Sequence, residues 1–172
     1  MRTNPSQTTG TRDIKNWQLW VGLLIVITLG GYLRFVGLNW DSYTHLHPDE
    51  RFLTMVEGSI HPVANVGQYF DAATSSLNPN NQGYGFYVYG DFPVILVRYV
   101  AEWLGQTGYD QVHLVGRGIT AAFDLLTVLL VYWVARRLFG KRWVGLLAAS
   151  FSAFSVLNIQ LAHYFTVDPF AT

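Results

Sequence analysis

Residues 17–33 carry no charged side chain, and this run limits the fold more than any other feature. About 20 mainly apolar residues, rising 1.5 Å each, cross the hydrocarbon core of a bilayer. Residues 17–38, with Arg34 only near the far end, therefore form a first span candidate. A cleaved leader has a shorter apolar run followed by a small-x-small site. Gly37-Leu38-Asn39-Trp40 offers no such site, so the run reads as an uncleaved anchor. Residues 109–139 form a second candidate, apolar across 119–135 except for Thr120, Asp124 and Thr127. Residues 143–162 form a third, rich in Ala and Ser. Small residues of this kind let membrane helices approach closely. The expected fold is an all-α, polytopic membrane protein with about three transmembrane helices.

Composition agrees. The 172 residues are 51% hydrophobic and 13% charged, against about 25% charged in soluble domains. Trp and Tyr gather near the ends of the apolar runs, where amphipathic rings suit headgroup depth. Net charge is zero, so the basic footprint of a nucleic-acid binder is missing. The absence of cysteine excludes disulfides, thiolate metal sites and a Cys nucleophile.

Basic residues set the expected orientation. Arg2, Arg12 and Lys15 precede the first span, and Arg136, Arg137, Lys141 and Arg142 crowd the link between the second and third. The positive-inside rule assigns both segments to the cytoplasm, with residues 1–16 as a cytoplasmic tail. Residues 39–108 then lie outside, as do residues 163–172, which read as an outer loop and the start of a further helix in a truncated chain. The expected location is the plasma membrane, multi-pass.

The outer segment is too long for a simple turn and should hold structure. Pro48 suits a first helical turn, with a stop at Gly58. Residues 71–90 read as loop, and Tyr84, Phe86, Tyr87 and Tyr89 in it suit either the membrane interface or a sugar. Asp91 reads as an N-cap and Gly105 as a stop. The helix between them is too short to span and fits an amphipathic helix in the membrane plane.

The chemistry is densest at His45-Leu46-His47-Pro48-Asp49-Glu50-Arg51-Phe52. His45, His47, Asp49 and Glu50 offer nitrogen and oxygen donors that suit a divalent metal. The bland reading of Asp49 and Glu50 is charge at a helix N-terminus. Arg117 and Asp124 lie within the second span, where charges face the protein interior or a wet cavity. Arg117 is placed to meet a phosphate, with Arg51 the next candidate. Asp124 reads as a polar contact with another helix. Asp168 precedes Pro169 and by itself reads as a cap.

Together these residues resemble the N-terminal part of a GT-C superfamily membrane glycosyltransferase, in the branch of protein O-mannosyltransferases and bacterial aminoarabinose transferases. The resemblance rests on His47-Pro48-Asp49-Glu50 after a first span and on Val115-Gly116-Arg117 opening the second. It extends to Arg136-Arg137-Leu138-Phe139-Gly140 and Gln160-Leu161-Ala162-His163-Tyr164-Phe165-Thr166-Val167-Asp168-Pro169. It implies transfer of a sugar from a polyprenyl-phosphate carrier to a hydroxyl of an acceptor protein or lipid glycan on the outer face. It further implies catalytic roles for Asp49, Glu50 and Asp168, with Arg51, Arg117, His47 and His163 toward the substrate. A divalent metal (Mg or Mn) at Asp49, His47 and Asp168 is a candidate cofactor. The rival functions are a noncatalytic membrane subunit packing through the Ala/Ser-rich stretch, and a transporter fragment with Arg117 and Asp124 lining a path.

Overall fold

The computed structural model describes residues 13–171. Arg2 and Arg12, and with them most of the expected cytoplasmic tail, fall outside the described residues, as does Thr172. The described residues are helical, with no strand among them.

Helix α1 (Asn16–Phe35) and α5, defined below, are long and apolar enough to cross a membrane. α1 has 20 residues and so spans about 30 Å. Its buried positions Leu19, Leu23, Val26, Gly30 and Arg34 recur at helical spacing and form one stripe. Trp20, Leu24, Ile25 and Leu29 lie exposed on the other side. An exposed apolar belt of this size suits contact with lipid.

The chain then turns back sharply. Ser42, Tyr43 and His45 hold φ of 49°, 65° and 49°, a left-handed region that side chains other than Gly enter at a cost. Helix α2 (Pro48–Glu57) follows, with Pro48 at its first position and Gly58 as its C-cap. A short α3 (Val66–Phe70) and a single 3-10 turn (Pro79–Gln82) interrupt the loop. Helix α4 (Asp91–Leu104) begins at Asp91 itself, so Gly90 rather than Asp91 is the cap, and Gly105 closes it at φ 68°. Phe92, Tyr99, Trp103 and Leu104 are exposed on α4. Val94, Val97 and Ala101 join Leu53, Val56, Ile60, Val112, Val115 and Phe165 in one apolar core. The loop tyrosines have a packing role. Tyr84, Tyr87 and Tyr89 pack around Phe52, and only Phe86 stands well out.

Helix α5 (Tyr109–Phe139) has 31 residues, about 46 Å. Gly140, at φ 65°, ends it. The third apolar stretch is not one helix. It divides into α6 (Arg142–Ala153) and α7 (Val156–Leu161), before a short α8 (Asp168–Ala171). The reason is a side chain from α1. Arg34 donates to the carbonyl oxygens of Ala153 (2.8 Å) and Ser152 (3.3 Å), to Gly30 O (3.0 Å), and to the Asp124 carboxylate of α5. Its guanidinium takes up the Ala153 carbonyl, which the broken helix leaves without a backbone donor, and shares the Ser152 carbonyl with the Ser155 N–H. Asp124 is thus a polar contact between helices.

Gly145, Ala149 and Ala153 recur every fourth residue and are buried where α6 meets α1 and α5. A Cβ on Gly145 would lie 2.8 Å from Tyr132 O, so only Gly permits this approach. This small-residue stripe is used within the chain.

Candidate functional site

The site is built around one guanidinium. Arg117 is fully buried on α5. Its Nε donates to Glu50 Oε1 at 2.7 Å and its Nη2 to Glu50 Oε2 at 2.7 Å. Nη1 and Nη2 donate to Asp41 Oδ1 and Oδ2, each at 3.0 Å. Nη1 also reaches Leu38 O at 2.6 Å, and the Trp40 ring centroid lies 5.4 Å from Cζ. All five N–H donors of the fork have acceptors, two of them a pair of carboxylates in bidentate geometry. Arg117 therefore has no donor left for a substrate phosphate, and the role expected of it passes elsewhere.

Glu50 is inside for the same reason. It occupies the third position of α2, whose cap is His47, with Nδ1 accepting from the Glu50 N–H at 3.4 Å. Besides Arg117, Glu50 Oε1 accepts the backbone N–H of Phe165 at 2.8 Å. That bond fastens the second outer loop to the first. Gly116 makes room for it, since a Cβ there would lie 2.4 Å from the Phe165 ring. Burial pushes the Asp41 carboxyl up, but the hydrogen bonds and charge of Arg117 outweigh this and hold it below the ordinary carboxylate range.

Asp49 and Asp168 are exposed, each close in sequence to one end of the Glu50–Phe165 bond. Tyr89 is hydrogen-bonded to the first of them. Its hydroxyl donates to Asp49 Oδ1 at 3.2 Å. Its ionisation is pushed up by burial, then by the Asp49 charge and hydrogen bond, and also by the Asp168 charge. Two carboxylates over a hundred positions apart in sequence thus act on one phenol.

The remaining expected residues divide clearly. His47 caps α2 and lies against Tyr164, ring centroids 4.4 Å apart. His163 faces Ile159 O (2.7 Å) and Val36 O (2.9 Å) with its two ring nitrogens, so it ties α7 to the end of α1. Arg51 is exposed and, among the described residues, forms no side-chain hydrogen bond or ion pair. His45 turns away from His47, toward Asp110 (3.2 Å) and the His113 ring (4.3 Å). Among the described residues no group of three or more His, Asp or Glu side chains is placed to hold a metal ion. Asp49, His47 and Asp168 do not by themselves make a metal site. Sequence reasoning missed Asp41, which carried no signal beyond being one acid among seven in its segment. It also missed Tyr89 as a partner of Asp49, although the aromatic run around it was visible.

No curated protein and no solved structure matches the chain. Residues 91–172 match the family model of dolichyl-phosphate-mannose-protein mannosyltransferase. The matched segment holds Arg117, His163 and Asp168, while Asp49 and Glu50 lie ahead of it. Over α4 to α8, then, the chain matches the protein mannosyltransferases, in agreement with the GT-C resemblance that its motifs carry.

Proposed function

We propose that this chain carries the carboxylate end of a membrane glycosyltransferase site. The donor is a sugar on a polyprenyl-phosphate carrier, and the acceptor is a hydroxyl on a protein or lipid glycan at the outer face. The observation that carries this reading is the Glu50 carboxylate accepting from both Arg117 and the Phe165 N–H. Through that junction, Asp49 and Asp168 stand exposed near one tyrosine on a wall of buried, satisfied groups.

In the reaction, the acceptor oxygen bonds to the anomeric carbon while the bond from that carbon to the carrier phosphate oxygen breaks. Asp49 takes the hydroxyl proton, a contribution of about 100- to 10,000-fold. Tyr89 orients the Asp49 carboxylate through its hydroxyl. Asp168 lines the opposite side of the acceptor. The leaving phosphate carries the negative charge, and a cation near it lowers the barrier. Arg51 supplies that cation, since its guanidinium is exposed and Arg117 is fully engaged. Glu50, Asp41 and Arg117 act as positioning residues.

Asp49→Asn tests the reading. Membranes supplied with polyprenyl-phosphate mannose and an acceptor peptide should show transfer reduced by at least about 100-fold, with protein amount unchanged. Near-normal transfer would remove Asp49 from the base role. A transporter is less well supported, because Arg34, Asp124 and Arg117 are all paired within the protein and leave no charge facing a path.

A further inference from the structure

At the other end of α5, the turn into α6 holds a basic hollow that sugar transfer does not use. Asp13, Trp133, Arg136, Arg137, Gly140 and Arg142 line a cavity of about 450 Å³ there. Three guanidiniums share it with one carboxylate. That carboxylate, Asp13, is already engaged by the backbone N–H groups of Ile14, Arg142 and Trp143. The guanidiniums are tethered rather than loose. Arg136 donates to the Tyr132 hydroxyl at 3.4 Å, Arg137 lies 5.2 Å from the Trp133 ring centroid, and Arg142 donates to Asn16 Oδ1.

A second hollow of about 460 Å³ runs along the same helix, lined by apolar residues including Leu130, Val134, Leu138 and Phe139. Trp133 borders both hollows. The two therefore adjoin at Trp133, one basic and one apolar. Their depth fits a bilayer. Arg136 follows Arg117 by 19 positions, roughly 28 Å along the axis, which is close to the hydrocarbon thickness. The basic hollow then lies at headgroup level and the apolar groove at acyl-chain level.

We propose that this pair of hollows binds an anionic glycerophospholipid. Its phosphate sits against Arg136, Arg137 and Arg142, and one acyl chain follows the groove past Trp133. Guanidinium forks match phosphate oxygens in bidentate geometry. The adjoining apolar groove selects a lipid over a soluble phosphate.

The test uses the purified 172-residue chain in detergent, stripped of lipid. It is titrated with phosphatidylglycerol or phosphatidylcholine carrying brominated acyl chains, and tryptophan quenching is read. Subtraction of the Trp133→Phe titration isolates the Trp133 signal. Phosphatidylglycerol should quench Trp133 at concentrations at least about tenfold lower than phosphatidylcholine does. Arg136→Gln and Arg137→Gln should each weaken that preference on the order of fivefold. Excess glycerol 3-phosphate should not displace the lipid. Equal quenching by the two lipids would overturn the proposal, as would quenching unchanged in Trp133→Phe. Displacement by glycerol 3-phosphate would make this a phosphate site and overturn the lipid assignment. The contrast between the two lipids needs no Arg variant, so a misfolded variant does not blunt it.

Discussion

Two adjacent acids, Asp49 and Glu50, show how far environment separates residues of similar chemistry. One rotation of 100° along α2 sends Glu50 under Arg117 and leaves Asp49 in solvent. Removing one partner of a buried ion pair strands the other charge and destabilises by about 3–5 kcal/mol. Glu50→Gln should therefore lower the thermal midpoint in detergent strongly, whereas the exposed Asp49→Asn should change stability by about 0.5 kcal/mol or less. Equal melting of the two variants would dismiss the clamp. Glu57 gives a pH prediction. Burial pushes its carboxyl up to about 9 against a partial offset from the Arg98 charge, and both its oxygens lack hydrogen-bond partners. The folded state then holds a proton that the unfolded state has lost above about 4.5, so stability falls as pH rises from 4.5 toward 9. Glu57→Gln should remove that slope and gain on the order of 3 kcal/mol at pH 7. Parallel pH–stability curves for the two proteins would refute this. Asp41 has the opposite sign. With its folded value held below 3.8, it stabilises above that pH and the benefit is lost on further acidification.

At the scale of elements, the break between α6 and α7 aims the second outer loop. Arg34 holds the break by engaging Ser152 O and Ala153 O while pairing with Asp124. From there α7 runs to His163, which is tied to Val36 O at the end of α1, and the chain continues to Phe165 and Glu50. Asp124→Ala leaves Arg34 buried without its anion and should destabilise by about 3–5 kcal/mol. In Arg34→Leu/Asp124→Leu no charge is stranded. It should melt above Asp124→Ala yet below the parent, because the Ala153 carbonyl loses its donor at about 1–3 kcal/mol. A double variant no better than Asp124→Ala would show that the pair is not the source of the loss.

The whole molecule has two chemically distinct ends. The start of α1 meets the α5–α6 link through Asp13, Asn16 and Arg142. The far ends of α1 and α7 meet α2 through Leu38, Asp41, Glu50 and Phe165. Lys15 and the basic α5–α6 link therefore share one end, and both candidate carboxylates share the other. The chain has no cysteine, so single cysteines report topology cleanly. Asp49→Cys and Asp168→Cys should react with an impermeant maleimide from the same side of sealed vesicles, and Arg137→Cys from the opposite side. Reaction of Asp49→Cys and Asp168→Cys from different sides would sink the proposed site.

What the sequence determined by itself is local. The bounds of α5 follow from hydropathy, and those of α2 from Pro48 at a first turn and Gly58 as a stop, because length, capping and apolar pattern act within a few residues. The cluster at Asp49 and Glu50 was legible for the same reason. The division of labour within that cluster was not. Arg117 finds Glu50 and Asp41 across 67 and 76 positions, and Arg34 finds Asp124 across 90. A buried charge must be paired and hydrogen-bonded, so a charge in an apolar run announces that it has a partner. Which partner is chosen by how α1, α2 and α5 pack. Only the tertiary structure could therefore make Arg117 a clamp within the protein and leave Asp49, Asp168 and Arg51 exposed.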